Sequence, residues 1–175
     1  RAFRPLISIA LSFVVLTSAL FAEVRPPVQA WFGPHPIGSS RGLDTHFIEF
    51  LRSAKKTLDG SFYELRLDSL VAEFIATHKR GVKVRLIVDN SNFYGKDESG
   101  AINKRKKNPF VKQLLDAGIE VKQDNNRSAL MHNKFAIADG ERVWSGSYNL
   151  TDTCTMQNQN NGLWLESGAL ARIFT

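Results

Sequence analysis

Cysteine is almost missing from this sequence: Cys154 is the only one in 175 residues. No intrachain disulfide can form, so the fold must rest on packing whatever its redox surroundings. Nothing electropositive flanks Cys154 in sequence, and a lone thiol of this kind reads first as a small core residue. Metal signatures are missing too. There is no H-E-x-x-H, no cysteine pair, and no paired Asp and Glu of the kind that hold two metal ions, so no metal and no cofactor are expected. Repeats and low-complexity tracts are absent, which excludes solenoids and arrays. Only one apolar run is long, about 16 residues between positions 6 and 21, short of the roughly 20 that a full membrane span needs.

Apolar residues make up 43% of the chain, enough at this length for one sizeable core. Lys and Arg number 23 against 17 Asp and Glu, a formal charge of +6, with a sequence pI near 9.6. That balance favours anionic partners, nucleic acid or acidic lipid. It carries more weight because Lys104, Arg105, Lys106 and Lys107 are consecutive. Arg1 and Arg4 precede the apolar run and Ala22 follows it, the pattern of a secretory signal peptide over residues 1–22, with an uncleaved N-terminal anchor as the alternative. The expected localisation is secreted or periplasmic, or membrane-anchored through that segment.

Residues 23–42 read as a Pro-rich leader and 43–175 as the functional domain. Phe47, Phe50, Leu51 and Ala54 fall at helical spacing within 43–56. A strand over 58–63, a helix over 68–79 with Asp68 as its cap and Gly81 as its stop, and a strand over 82–88 form a βαβ unit, which predicts parallel pairing. A second round follows, with a helix from Asn108 or Pro109 to Ala117 and strands over 119–122 and 131–138. Asp139-Gly140-Glu141 is a tight turn into a hairpin partner at 142–144. A last helix begins near Ala169. The 18 residues 90–107 are polar and charged, and read as a loop that either contacts substrate or is merely solvated. The expected fold class is α/β, a mixed β-sheet flanked by helices on both faces.

The informative stretch runs His132-x-Lys134, four residues, Asp139, six residues, Gly146-Ser147-x-Asn149. It resembles the signature of the phospholipase D superfamily at every specified position. The resemblance extends to Phe62-Tyr63, to Arg80-Gly81-Val82-Lys83-Val84-Arg85-Leu86-Ile87-Val88-Asp89, and to Leu114-Leu115-Asp116-Ala117-Gly118-Ile119-Glu120-Val121, covering the chain from about Leu43 onward. In size, leader and single motif the chain looks nearest the small bacterial endonucleases of that superfamily. The resemblance implies a phospholipase D-like fold with one half-site per chain, His132, Lys134 and Asp139 as catalytic-motif residues, and a homodimer with a shared active site.

The residue types suit that chemistry. On a strand, residues two apart face one side, so His132 and Lys134 present an imidazole and an ammonium together. The imidazole can attack phosphorus to form a phosphohistidine, while the ammonium neutralises non-bridging oxygens. Ser147 and Asn149 can add hydrogen bonds to the same phosphate. In-line displacement also needs an acid on the far side. His35, His46 and His78 lack an H-x-K context, so His132 of a two-fold mate is the economical source. Asp139 beside Gly140 reads as a turn former or orienting carboxylate rather than a proton donor.

One departure is notable. Where the superfamily often places a carboxylate that orients the catalytic histidine, this chain has Asn160, and Glu64 or Glu166 are the substitutes. The expected activity is a metal-independent, non-specific secreted nuclease, with Lys104, Arg105, Lys106 and Lys107 as nucleic-acid contacts. The alternative is a phospholipase D acting on a membrane lipid such as cardiolipin or phosphatidylcholine. A non-catalytic nucleic-acid-binding module is the third reading.

Overall fold

The computed structural model describes residues 27–34, 41–125 and 128–175. The expected signal peptide or anchor, residues 1–22, and His35 lie outside the described residues. Among the described residues no helix is long and apolar enough to cross a membrane.

Strands β1 (Val28–Phe32), β2 (Thr57–Phe62), β3 (Lys83–Val88), β6 (Glu120–Gln123), β7 (Lys134–Ala138), β8 (Arg142–Gly146) and β9 (Asn161–Glu166) form one sheet in the order β1-β9-β8-β7-β2-β3-β6. Helix α2 (Asp68–Lys79) links β2 to β3, and α4 (Pro109–Asp116) lies between β3 and β6. Both crossovers join parallel neighbours, while the other pairings are antiparallel. The mixed α/β sheet is as expected. Helix α4 starts as the sequence suggests: Pro109 follows Asn108, whose side chain accepts from the Phe110 N–H at 3.0 Å. Asp68 lies in the first turn of α2 and not at its cap, which is Leu67. A carboxylate there still faces the positive end of the helix.

Helix α1 (Leu43–Ser53), α2 and α4 bury one face of the sheet. Its core is aromatic: Phe47 packs at 5.1 Å from Trp144 and Phe50 at 5.1 Å from Trp164, all four fully buried or nearly so. Each buried ring contributes roughly 1.5–3 kcal/mol relative to exposure. The second face is covered less. Helix α6 (Gly168–Phe174) sets Ala171 against Ile137 of β7 and Val143 of β8.

Two segments differ from expectation. The Pro-rich leader is not separate from the domain, because Val28 to Phe32 pair in register with Leu165 to Asn161 as an edge strand. Trp31 fixes that strand by stacking on His46 at 4.3 Å and on Trp144 at 5.7 Å. The predicted loop at 90–107 is also structured. A short helix α3 (Asn90–Phe93) leads into strands β4 (Tyr94–Lys96) and β5 (Ile102–Lys107), paired as a hairpin. Asp97 closes its turn by accepting from the N–H groups of Ser99 and Ala101. Ile102 is the one aliphatic side chain on these strands, so no apolar alternation marks them.

Asp139 and Gly140 have φ of 59° and 67°, a left-handed pair at the centre of a tight turn closed by the Glu141 N–H on the Ala138 carbonyl at 3.1 Å. The Asp139 carboxylate accepts from the backbone N–H groups of Lys56 (2.7 Å), Lys55 (3.0 Å) and Thr57 (3.1 Å), and pairs with Arg142. It therefore clamps the α1–β2 connection to the β7–β8 turn. Of the three catalytic-motif residues it is the one set apart, at the opposite end of β7 from His132, about 20 Å away at about 3.3 Å per residue. Burial alone would raise its carboxyl, but the three backbone donors and Arg142 outweigh that and hold it below the ordinary value of 3.8. A depressed carboxyl contributes stability above the unfolded-state value and loses it as pH falls through the native one. Asp139→Asn should therefore lower stability by about 2 kcal/mol at neutral pH. In denaturant titrations the gap from wild type should narrow below about pH 4, with turnover unchanged.

Candidate active site

Four residues of chain beyond β2 bring the two halves of the motif together. The Tyr63 N–H donates to the Asn133 carbonyl at 2.8 Å, next to His132. One residue on, the Leu150 N–H donates to the Glu64 carbonyl at 3.2 Å, and the Arg66 N–H returns to the Leu150 carbonyl at 2.8 Å. The H-x-K segment and the Gly-Ser-x-Asn segment thus flank one strand extension.

His132 is exposed and its ring stands edge-on to Tyr63, with centroids 4.8 Å apart. Lys134 is only 8% exposed, with Nζ 5.3 Å from the same tyrosine ring. Its ammonium donates to the His132 carbonyl at 2.9 Å, which leaves two of its three protons for a ligand. Burial pushes the Lys134 ammonium below its ordinary value, opposed by the nearby Cys154 and Glu64. A desolvated cation is a stronger partner for a phosphate oxygen than one in water. His132 and Asn133 precede β7 rather than belonging to it, since the strand begins at Lys134.

A buried carboxylate holds this segment from behind. Asp89, 1% exposed at the end of β3, accepts from the Met131 N–H at 2.8 Å through one oxygen and from the Ser91 N–H at 2.8 Å through the other. It fixes the residue before His132 and caps α3 with the same group. Sequence reasoning missed this role for Asp89 and the central place of Tyr63. Their signal was position alone, each standing at the carboxyl end of a predicted parallel strand, where ligands of open α/β sheets gather.

The chain matches the family described as "Cardiolipin synthase, PLD-like domain" over residues 47–175. The chain belongs to the phospholipase D superfamily. The mitochondrial cardiolipin hydrolase of Chlamydomonas reinhardtii is 32% identical over 117 residues, 67% of this chain and 47% of that protein. A phospholipase D of Rickettsia prowazekii is 26% identical over 150 residues, 86% of this chain and 65% of its own. Among solved structures, the phospholipase D family member Nuc of Salmonella typhimurium superposes with a TM-score of 0.65 at 25% identity, over 84% of this chain and 89% of Nuc. The chain spans about half the length of the first curated relatives it matches.

Other residues of the superfamily motif sit as follows. A Cβ on Gly146 would collide with the Asn161 carbonyl, so glycine is required for β8 to approach β9 there. Ser147 is already engaged: its hydroxyl donates to the Asn160 side-chain oxygen at 3.2 Å and accepts from the Asn161 N–H at 3.0 Å. The Asn149 side-chain oxygen is buried without a hydrogen-bond partner, beside a cleft lined by Glu64, Arg66, Thr151, Cys154 and Asn158. Cys154 is buried, as expected.

Asn160 does not take up the expected histidine-orienting place within this chain. Its amide donates to the Cys154 carbonyl at 3.2 Å and its oxygen accepts from Ser147. Of the two carboxylate substitutes, Glu64 pairs with Arg66 and lies near Lys134, whereas Glu166 accepts from the Trp164 indole at 2.8 Å and belongs to β9.

The cationic run divides. Lys104, Arg105 and Lys106 fall where the hairpin register shifts from Tyr94↔Lys107 to Gly95↔Asn103, so all three project from a bulge and are exposed. Lys107 instead stacks its ammonium 4.0 Å from the Phe93 ring centroid and 4.6 Å from that of Tyr94.

Two substitutions separate chemistry from positioning. Lys134→Ala should lower turnover of a small chromogenic phosphodiester by roughly 10²–10³. Asp89→Asn leaves one acceptor oxygen where two now serve Met131 and Ser91, and should lower kcat about tenfold, one hydrogen bond's worth, with KM nearly unchanged. Steady-state kinetics on the two variants decides; an Asp89→Asn enzyme with wild-type kcat would show that the buried carboxylate serves folding only.

Proposed function

We propose that this chain is a metal-independent phosphodiesterase that cleaves nucleic acid through a phosphohistidine at His132. The observation that carries this reading is the meeting of an exposed imidazole and a desolvated ammonium on one tyrosine ring, on the sheet rim from which the cationic hairpin also rises. An imidazole nitrogen of His132 attacks phosphorus and the bond to the leaving oxygen breaks, with Lys134 neutralising the non-bridging oxygens. The leaving oxygen takes a proton from His132 of the partner subunit. That imidazole then deprotonates water, which attacks phosphorus and breaks the P–N bond, restoring both histidines. The chain carries a single H-x-K, so a two-fold dimer supplies the second histidine.

Lys104, Arg105 and Lys106 favour a polyanionic substrate, since backbone-phosphate contacts give affinity with little sequence preference. A second reading, a phospholipase acting on a membrane lipid, is favoured by the names of the cardiolipin hydrolase relatives. The two part in one experiment with purified protein, plasmid DNA, RNA and cardiolipin vesicles in excess EDTA. Nucleic acid should be cleaved and vesicles left intact; the reverse would establish the lipid reading.

Activity should persist in EDTA, because imidazole and ammonium groups do the work. His132→Asn should keep fold and dimer but abolish turnover. A denaturing alkaline quench of wild type with labelled substrate should trap a base-stable, acid-labile phosphoprotein that the variant lacks. Turnover by a strictly monomeric species at high dilution would sink the shared-site mechanism.

A further inference from the structure

A cavity of about 240 Å³ opens between the hairpin and the ends of β3 and β6, lined by Asn90, Tyr94, Ile102, Lys104, Gln123 and Asn125. Its chemistry is uneven in an informative way. Three of the six are side-chain amides, one is a phenol, one an ammonium and one an aliphatic. Among the described residues no hydrogen bond engages the amides of Asn90, Gln123 or Asn125, although the Asn90 backbone N–H is held by Asp124 at 2.9 Å. Amides offer a donor and an acceptor side by side, the pattern that matches the edge of a nucleobase. A tyrosine ring beside an isoleucine offers the flat apolar contact that a base face requires. An acyl chain would find one aliphatic side chain and five hydrogen-bonding groups to desolvate, a poor exchange.

The cavity is mechanically tied to the catalytic segment. Asn90 follows Asp89, and Asp89 holds the Met131 N–H immediately before His132. Lys107 braces the Tyr94 ring from the hairpin, and Asn125 adopts a left-handed φ of 62°, which asparagine tolerates, to close the rim. Lys104 joins the lining to the exposed cations of the bulge, so a phosphate on the bulge has its base directed toward the amides.

We propose that this hairpin cavity is a subsite for one unpaired nucleotide flanking the scissile phosphodiester, with the base against Tyr94 and Ile102, its edge read by Asn90, Gln123 and Asn125, and its phosphate on Lys104. It rests on the nucleic-acid reading and adds a preference for strands whose bases are free, because a base paired in a duplex cannot enter.

The test uses the full chain carrying His132→Asn, so that binding is read without cleavage, and fluorescence anisotropy with a labelled single-stranded oligonucleotide, the same strand made abasic, and its duplex. The intact single strand should bind about tenfold more tightly than the abasic strand, the worth of one stacked base. Tyr94→Ala and Gln123→Ala should each remove that difference, and Tyr94→Phe should keep most of it. In the His132 background the same variants should turn over a small chromogenic phosphodiester at the wild-type rate, which shows that they fold. Equal binding of intact and abasic strands, of single strand and duplex, or of parent and variants would overturn the proposal while leaving the nuclease reading intact. Cardiolipin vesicles that displace the oligonucleotide from the parent but not from Tyr94→Ala would assign the cavity to a lipid headgroup. Wild type that cleaves no nucleic acid at all would remove the nuclease reading itself and the subsite with it.

Discussion

Everything in the site depends on the backbone of Tyr63 to Arg66, the stretch where β2 has left the regular ladder but still hydrogen-bonds on both sides. One flank receives Asn133 and the other Leu150, segments 17 residues apart in sequence that no direct ladder joins at that level. Because these are main-chain bonds, the spacing between imidazole, ammonium and the Asn149 amide is set by strand geometry rather than by side-chain fit. The Tyr63 ring, projecting from the same stretch, then fills the gap between His132 and Lys134. A site built this way keeps its dimensions while the surrounding surface changes.

Burial is the second constraint, and it acts unequally on the two groups of the H-x-K pair. Lys134 is drawn into the protein and spends one proton on the His132 carbonyl, so the cation is oriented before any ligand arrives. His132 remains at the surface. On the proposed mechanism an exposed imidazole suits a half-site. The face of the ring that a single chain leaves to water is the face that a phosphodiester, and beyond it the second copy of the proposed dimer, would cover to exclude water until the hydrolytic step.

The sequence made the framework legible wherever local signals and tertiary demands agreed. Helix α2 was readable, apart from its cap, because its stripe of Leu70, Val71 and Phe74 meets the core just where Gly81 permits a stop. The β7–β8 turn was readable because Asp139 and Gly140 both tolerate a left-handed backbone. Strand β1 was hidden among prolines because its reason for existing is a partner 130 residues away, β9, and the Trp31 stack. The hairpin at 94–107 was hidden because its strands bury almost nothing. Its order comes from the Asp97 turn and the stacking of Lys107 on two rings, neither of which has a periodicity.

In the site itself, residue types were legible and roles were only partly so. His132 and Lys134 meet as strand alternation suggests, although the strand starts only at Lys134. Asp139 shows how a motif residue can stand far from the rest of its motif in space: three backbone donors and Arg142 engage its charge at the far end of the strand. Asn160 shows the reverse. A carboxylate at that position would face the Ser147 hydroxyl, which can donate to it, but it would lack the amide protons that now satisfy the Cys154 carbonyl. The asparagine is therefore not an idle remnant. It exchanges a charge that could act on an imidazole for a neutral bridge between Ser147 and the short helix α5 (Asp152–Met156) that carries Cys154. That exchange leaves Glu64, whose charge already reaches Lys134, as the acidic group best placed to influence the half-site.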